Sequence, residues 1–235
     1  GYAYGNNFAL KYIDSKYDKE FEYVIISNPD VFCDDDVIEK TKRFLNENDD
    51  VMIASPRMNF VTGPARRAAW KKRSFAIDIA NSTRITEFLL FLLLKKGEYS
   101  KKDYAKKVLY VDNTAGSFFI AKHDLFKKID YFDENTFLFY EEDILGEKVK
   151  NAGYKIVLLN ELNFMHYESK SIGKVMNLFK KMDILFDSRI YYHKIYNNVG
   201  QVGIFIFNIL RITRKIELLI EIPIRKIINM LKRQK

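Results

Sequence analysis

The chain has 235 residues, 48% hydrophobic and 30% charged, enough to bury a full core in one domain plus an appendage. Its one cysteine, Cys33, excludes an internal disulfide framework and a multi-cysteine zinc site, and fits a reducing, cytosolic setting. The formal charge of +8 is unevenly placed: Ile172 to Lys235 holds 13 Lys/Arg against 4 Asp/Glu, leaving the first 171 residues at −1, which argues against a nucleic-acid-binding body and for a basic appendage facing something anionic.

In chain order, Gly1-Tyr2-Ala3-Tyr4-Gly5-Asn6-Asn7 reads as a loop whose backbone comes close to a ligand, followed by a helix. Phe21 to Ile26 reads as a buried strand bounded by the breaker Asn28-Pro29. Asp34-Asp35-Asp36 opens a helix with Val37, Ile38, Thr41, Phe44 and Leu45 at helical spacing, its acidic first turn complementing the helix dipole. Val51 to Ala54 is the next strand, closed by Ser55-Pro56, and this β–α–β alternation predicts an α/β fold with a doubly wound, mostly parallel sheet.

Arg57 to Lys107 is irregular and basic, with a helical stretch around Ile85 to Leu94. Strands follow at Val108–Val111 and Ser117–Ala121, then helices over Asp124–Ile129 and Glu142–Ala152, the second ended by Gly153 as a cap. Lys155 to Leu159 is a further strand. Beyond Ser171 the chain reads as helical, interrupted near Asn197-Asn198 and Gly200 and again at Pro223. The longest apolar runs, Phe88–Leu94 and Val202–Leu210, are shorter than the roughly 18 residues a spanning helix needs.

Asp30 stands where a strand ends, and in open α/β sheets ligands bind outside the carboxyl ends of the strands. Its neighbour Asn28 can supply an amide oxygen, and a hard cation takes one or two carboxylates together with substrate phosphates. The plainer reading is a turn leading into an Asp-capped helix. Glu141, Glu142 and Asp143 follow the aromatic run Phe137 to Tyr140, and crowded carboxylates raise one another's proton affinity, as a general base requires. An acidic first helical turn in solvent explains the same residues. His166, after a strand and a loop and near Glu168, Ser169 and Ser171, could bind a metal or donate to a phosphate oxygen, or be structural. His123 and His193 read as surface or packing residues.

Taken in order, these segments resemble the family-two glycosyltransferases with the GT-A fold, in particular the rhamnosyltransferase-like group of bacterial surface polysaccharide synthesis. Gly1 to Asn7 is similar to that group's Gly-Phe-Gly-x-Gly-Asn-Asn loop, with Ala3 replacing one glycine. Asn28-Pro29-Asp30-Val31 matches its variant of the DxD metal motif; Gly116 and Phe132-Asp133-Glu134 match its acceptor-side segment; Glu142-Asp143, Gly153-Tyr154 and His166 match its later elements. The resemblance covers Gly1 to Ser171 and implies a catalytic domain over 1–171 followed by a basic amphipathic tail over 172–235.

The resemblance implies an inverting transfer of rhamnose or a similar hexose from a nucleotide-diphosphate donor to a polysaccharide or lipid-linked acceptor. Gly5, Asn6, Asn28 and Asp30 would bind the donor, Gly116, Asp133 and Glu134 the acceptor side. Asp30 with His166 would hold Mg²⁺ or Mn²⁺, and the base would be Asp143 or Glu142, Asp143 being favoured. It also implies a strand–helix–strand unit upstream of Gly1, on the order of 50 to 70 residues, to hold the nucleotide base. A nucleotidyltransferase-like sugar-nucleotide enzyme and a non-catalytic membrane-associated scaffold are the alternatives.

In the tail, Ile204, Phe205, Phe207, Ile209, Leu210, Ile212, Ile216 and Leu219 alternate with Arg211, Arg214, Lys215, Arg225, Lys226, Lys232 and Arg233. This basic amphipathic pattern predicts peripheral association with the anionic inner face of the cell membrane. The other reading packs these helices on the catalytic domain or on a second subunit, as a homo-oligomer.

Overall fold

The computed structural model describes residues 1–17, 21–64, 68–167 and 177–233. In chain order the elements are α1 (Tyr2–Lys16), β1 (Tyr23–Ser27), β2 (Val31–Phe32), α2 (Asp35–Glu47), β3 (Val51–Phe60), β4 (Gly63–Pro64) and β5 (Ala69–Trp70). Next come α3 (Phe75–Ala80), α4 (Arg84–Leu89), α5 (Phe91–Lys96), α6 (Lys101–Tyr104), β6 (Val108–Val111), β7 (Asn113–Thr114) and β8 (Phe118–Lys122). The chain continues with α7 (Asp124–Lys128), α8 (Glu141–Asn151), β9 (Lys155–His166), α9 (Leu178–Tyr196) and α10 (Gln201–Arg233).

The chain divides into two compact units, Gly1–Lys72 with Gly97–Val175, and Arg73–Lys96 with Met176–Lys235. The boundary expected at 171 lies outside the described residues, and the segment Arg73–Lys96, read with the catalytic body, belongs to the second unit.

In the first unit the main sheet runs β1-β8-β3-β9-β2, with β6 also on β9 and β4 on β3. The expected α/β sheet is present, and its principal strands β1, β3 and β9 all run one way, consistent with a GT-A-like fold. Strands β8, β2, β6 and β4 run against them, so the sheet is mixed. The first six residues of β3 are buried, as a central strand requires, and Leu45 of α2 closes over the sheet beside them.

β3 does not stop at Ser55-Pro56. It runs on to Phe60, and Pro56, which has no N–H to donate, sits where the pairing with β9 skips from Leu159 to Asn163. β9 likewise continues past Leu159 to His166, so His166 ends a strand rather than following a loop. The N-terminal glycine segment is helical from Tyr2, and Gly153, at φ +84°, ends α8 as expected. Gly146 lets α8 approach β7, because a side chain there would collide with Asn113 and the Asp112 carbonyl.

In the second unit a buried ionic cluster ties α3 to α9. Asp78, Arg189 and His193 are each at most 1% exposed. Asp78 accepts from His193 Nε2 at 2.8 Å and pairs with Arg73 at 3.2 Å; Arg189 donates to Ser82 Oγ at 2.7 Å, and Ser82 donates to the Asp78 carbonyl. Burial alone would raise the proton affinity of Asp78, but the His193 hydrogen bond and the charges of Arg189 and Arg73 outweigh it and hold the carboxyl well below its usual range. His193 is thus a partner in an ion network, not a surface residue. Pro223 lies inside α10 and does not end it.

Asp78→Asn removes the buried carboxylate that faces the buried Arg189 and the half-buried Arg73, and should destabilise by about 3–5 kcal/mol in urea denaturation of the chain. A change below about 1 kcal/mol would mean that the cluster does not hold the second unit together.

Candidate functional site

The site is set by strand register. β2 pairs with the end of β9, Val31 opposite His166, so the preceding Asp30 reaches His166 and its Oδ1 lies 3.2 Å from His166 Nε2. The main chain repeats the link, Tyr167 N donating to the Asp30 carbonyl at 2.9 Å. On the other flank β1 pairs with β8, Ser27 opposite Phe118, and Asn28 N donates to the Ser117 carbonyl at 2.8 Å. Asn28, Gly116, Ser117 and His166 thereby meet at the carboxyl ends of β1, β3 and β9, where an α/β sheet opens to ligand.

A cleft of about 400 Å³ lies there, lined by Asn28, His166, Glu141, Glu142, Trp70 and Gly116 together with Tyr2, Met58, Phe60 and Phe139. Carboxylates and an imidazole set among aromatic rings can grip a polar, hydroxylated ligand that also presents apolar faces. A smaller cavity of about 300 Å³ lies by Tyr110, Asp112, Glu147 and Tyr154, where Lys72 holds both carboxylates, Asp112 through its N–H and Glu147 through Nζ.

The three carboxylates that open α8 have different surroundings. Phe139 and Tyr140, just before them, are held in the left-handed region at φ +73° and +68°. Such strain costs on the order of 1–3 kcal/mol per residue and persists only where the surroundings enforce it. Asp143 is buried and accepts from Trp70 Nε1 at 2.8 Å. It holds the indole and is not among the residues that line the cleft.

Glu142 is half-buried, faces the cleft and accepts from Gly116 N at 3.3 Å. A Cβ at Gly116 would come within 2.8 Å of Glu142 Oε1 and 3.0 Å of the Tyr2 hydroxyl, so a side chain there would displace the carboxylate. Tyr2 in turn donates to the Gly116 carbonyl at 2.8 Å. Burial, and then the charges of Glu142 and Glu141, push its phenol well above the ordinary range, so it remains a neutral donor.

Glu141, outside the expected base pair, is 5% exposed, and its Oε1 has no hydrogen-bond partner among the described residues. Burial, and then the neighbouring Glu142 and Asp143, raise its carboxyl to about 7, outweighing the hydrogen bond from its own backbone N–H. The sequence shows the crowding but not which member is buried.

The other expected residues lie elsewhere. Gly5 and Asn6 are in the first turns of α1, Asn6 donating to the Tyr2 carbonyl, and neither lines the cleft. Glu134 accepts from the buried Asn7 at 2.7 Å and Asp133 holds the N–H of Asn135, and neither lines this cleft. Glu168, Ser169 and Ser171 lie outside the described residues.

Among the described residues no three His, Cys, Asp or Glu side chains converge as a metal cage. Asp30 and His166 do suit a hard cation that completes its shell with phosphate oxygens and water, and the buried Nδ1 of His166 has no partner among the described residues.

Glu141→Gln tests the electrostatics. Because the proton affinity of Glu141 is raised in the fold, its ionised form opposes folding, and this cost develops as pH climbs from the unfolded value of 4.5 through about 7. The variant should therefore gain up to about 3 kcal/mol of stability at pH 8 and little at pH 5. Equal gains at both pH values would refute the raised proton affinity.

No family model matches this chain. It is similar to the rhamnosyltransferase WbbL of Escherichia coli (strain K12), with 24% identity over 173 residues, 71% of this chain and 61% of that protein. The match thus spans less than two thirds of the relative's length. Among solved structures it is similar to S. aureus TarS 1-349, at 14% identity, 85% of this chain, 53% of that one and a TM-score of 0.42. For TarS 1-349 in complex with UDP-GlcNAc the values are 13%, 79%, 44% and 0.44.

Proposed function

We propose that this chain is the catalytic part of an inverting glycosyltransferase that moves a hexose, rhamnose or a similar sugar, from a nucleotide-diphosphate donor to a polysaccharide or lipid-linked acceptor in surface glycan synthesis. The observation that carries this is one cleft at the carboxyl ends of the strands, bearing Asn28 and the Asp30-linked His166 together with the α8 carboxylates. Similarity to a rhamnosyltransferase supports the sugar class.

In this reading Glu142 is the base. It is the carboxylate that faces the cleft without being buried, and the N–H of Gly116 fixes its angle. It takes the proton of the acceptor hydroxyl as that oxygen attacks the anomeric carbon from the face opposite the diphosphate. The anomeric C–O bond breaks and its electron pair leaves on the diphosphate. Asp30, with His166 beside it, would hold Mg²⁺ or Mn²⁺, which when bound neutralises the charge gathering on that leaving group.

Trp70, its N–H anchored on Asp143, presents a rigid aromatic surface to the sugar. Glu141 and Glu142 are adjacent like charges, so the protonation of one is coupled to that of the other. The same reading places the protein at the inner face of the membrane, where lipid-linked acceptors are met.

In transfer assays of the whole protein, Glu142→Gln is expected to lower kcat by about 10²–10⁴-fold. Asp143→Asn should instead act mainly on acceptor KM, by loosening Trp70. Wild-type kcat should fall on the acid side as the coupled carboxylate pair takes up protons. Glu141→Gln removes a like charge, lowers the proton affinity of Glu142 and should shift that acid limb to lower pH. Unchanged turnover in Glu142→Gln would sink the mechanism.

A further inference from the structure

We infer that the second unit carries a composite apolar face, built from α4–α5 and α10 together, that lies flat on an anionic membrane surface. This rests on and deepens the membrane placement proposed above; it concerns the second unit alone, so its failure would leave the sugar-transfer chemistry untouched.

The polarity of α10 is inverted for a helix of a soluble protein. Phe207 and Leu218 are buried, and Leu218 packs with Met182 and Phe186 of α9. Its mid-helix charges are spent within the unit. Arg211 pairs with Asp187 at 2.6 Å and Lys215 with Asp183 at 2.8 Å. Arg214 pairs with Glu217 at 2.7 Å and with Glu221 at 2.6 Å.

The stripe left to solvent is apolar. Val202, Phe205, Ile209, Ile212, Ile216 and Leu219 recur at spacings of three and four, and each is 47–75% exposed. With Ile224 at 49% the stripe extends roughly 33 Å along the helix. Solitary exposed apolar residues are ordinary; a continuous row is a site of association.

α4 is fixed to α10 by a helix cap supplied from outside. Glu217 accepts from Arg84 N at 2.9 Å and Ile85 N at 3.1 Å, satisfying donors that the first turn of α4 leaves open. Docked in this way, α4 and α5 add their own exposed residues, Phe88 at 80%, Leu89 at 67% and Phe91 at 52%. Nothing in the local sequence of 84–91 links it to the tail; the Glu217 cap does.

Charge selects the occupant. The second unit holds 16 Lys/Arg against 6 Asp/Glu, a net +10, while the first unit is at −2. A second copy of the same face would bring like charge to like charge, whereas anionic headgroups complement it, at on the order of 1 kcal/mol per basic residue near the surface. Among the described residues no helix is long and apolar enough to cross a membrane, so the stripe fits an interfacial helix with its apolar side in the acyl boundary.

The test is vesicle flotation of the full chain, on phosphatidylcholine alone and on an equal mixture with phosphatidylglycerol. The anionic vesicles should bind at least about tenfold more tightly, with an advantage that shrinks at high salt. The pairs Ile212→Asp with Leu219→Asp, and Phe88→Asp with Leu89→Asp, should each weaken that binding by about tenfold or more. These side chains are exposed, so unchanged circular dichroism should accompany the loss. If only the α10 pair matters, the composite face is refuted. If neither vesicle binds, or if the chain instead forms a dimer that Ile212→Asp dissolves, the membrane proposal is overturned.

Discussion

The arrangement of the site depends on the register of β9. Its first half pairs parallel with the buried strand β3, and the polar break at Asn160–Asn163 is absorbed by a shift of pairing at Pro56. The end of β9 is thereby free to take β2, Val31 opposite His166. A slip of one residue would turn every β9 side chain to the opposite face of the sheet and separate His166 from Asp30. The site is thus held by backbone pairing and buried apolar contact, not by the polar groups that would do the chemistry.

At the N-terminus of α8 one short acidic run yields three different environments. Asp143 is spent on the indole of Trp70, Glu142 faces the cleft against Gly116, and Glu141 is buried with an oxygen unpartnered. The left-handed residues Phe139 and Tyr140 and the buried charge of Glu141 both cost stability, and a protein keeps such costs where they serve a site. The second unit behaves differently. Its buried charges at Asp78, Arg189 and His193 are mutually satisfied, and its unsatisfied surface is apolar.

Much of the fold was legible because buried strands advertise themselves. Val51–Ala54, Val108–Val111 and the opening of β9 are apolar runs with no competing periodicity. The far half of β9 was missed because Asn160, Glu161 and Asn163 interrupt it, and β3 was cut short because proline reads as a breaker unless a pairing shift is visible. Asn28, Asp30, Glu142 and His166 stand out in the sequence because each lies at the end of an element. Asp143's tie to Trp70 spans 73 residues and depends on packing that no local pattern encodes. Gly5 and Asn6 misled because a glycine pair suits a loop and a first helical turn alike, and the membership of 73–96 in the second unit rests on the long-range contacts of Asp78 and Glu217.

The central claim is a division of labour within one cleft, with Asp30 and His166 serving the diphosphate and Glu142 the chemistry. Isothermal titration of uridine, thymidine and guanosine diphosphates into the whole protein with Mn²⁺ tests it most directly, comparing wild type, Asp30→Ala and Glu142→Gln. The account predicts that the best-bound nucleotide loses at least about tenfold in affinity with Asp30→Ala, a change of 1.4 kcal/mol, and stays within about twofold of wild type with Glu142→Gln. Equal losses in both variants, or a loss confined to Glu142→Gln, would contradict it.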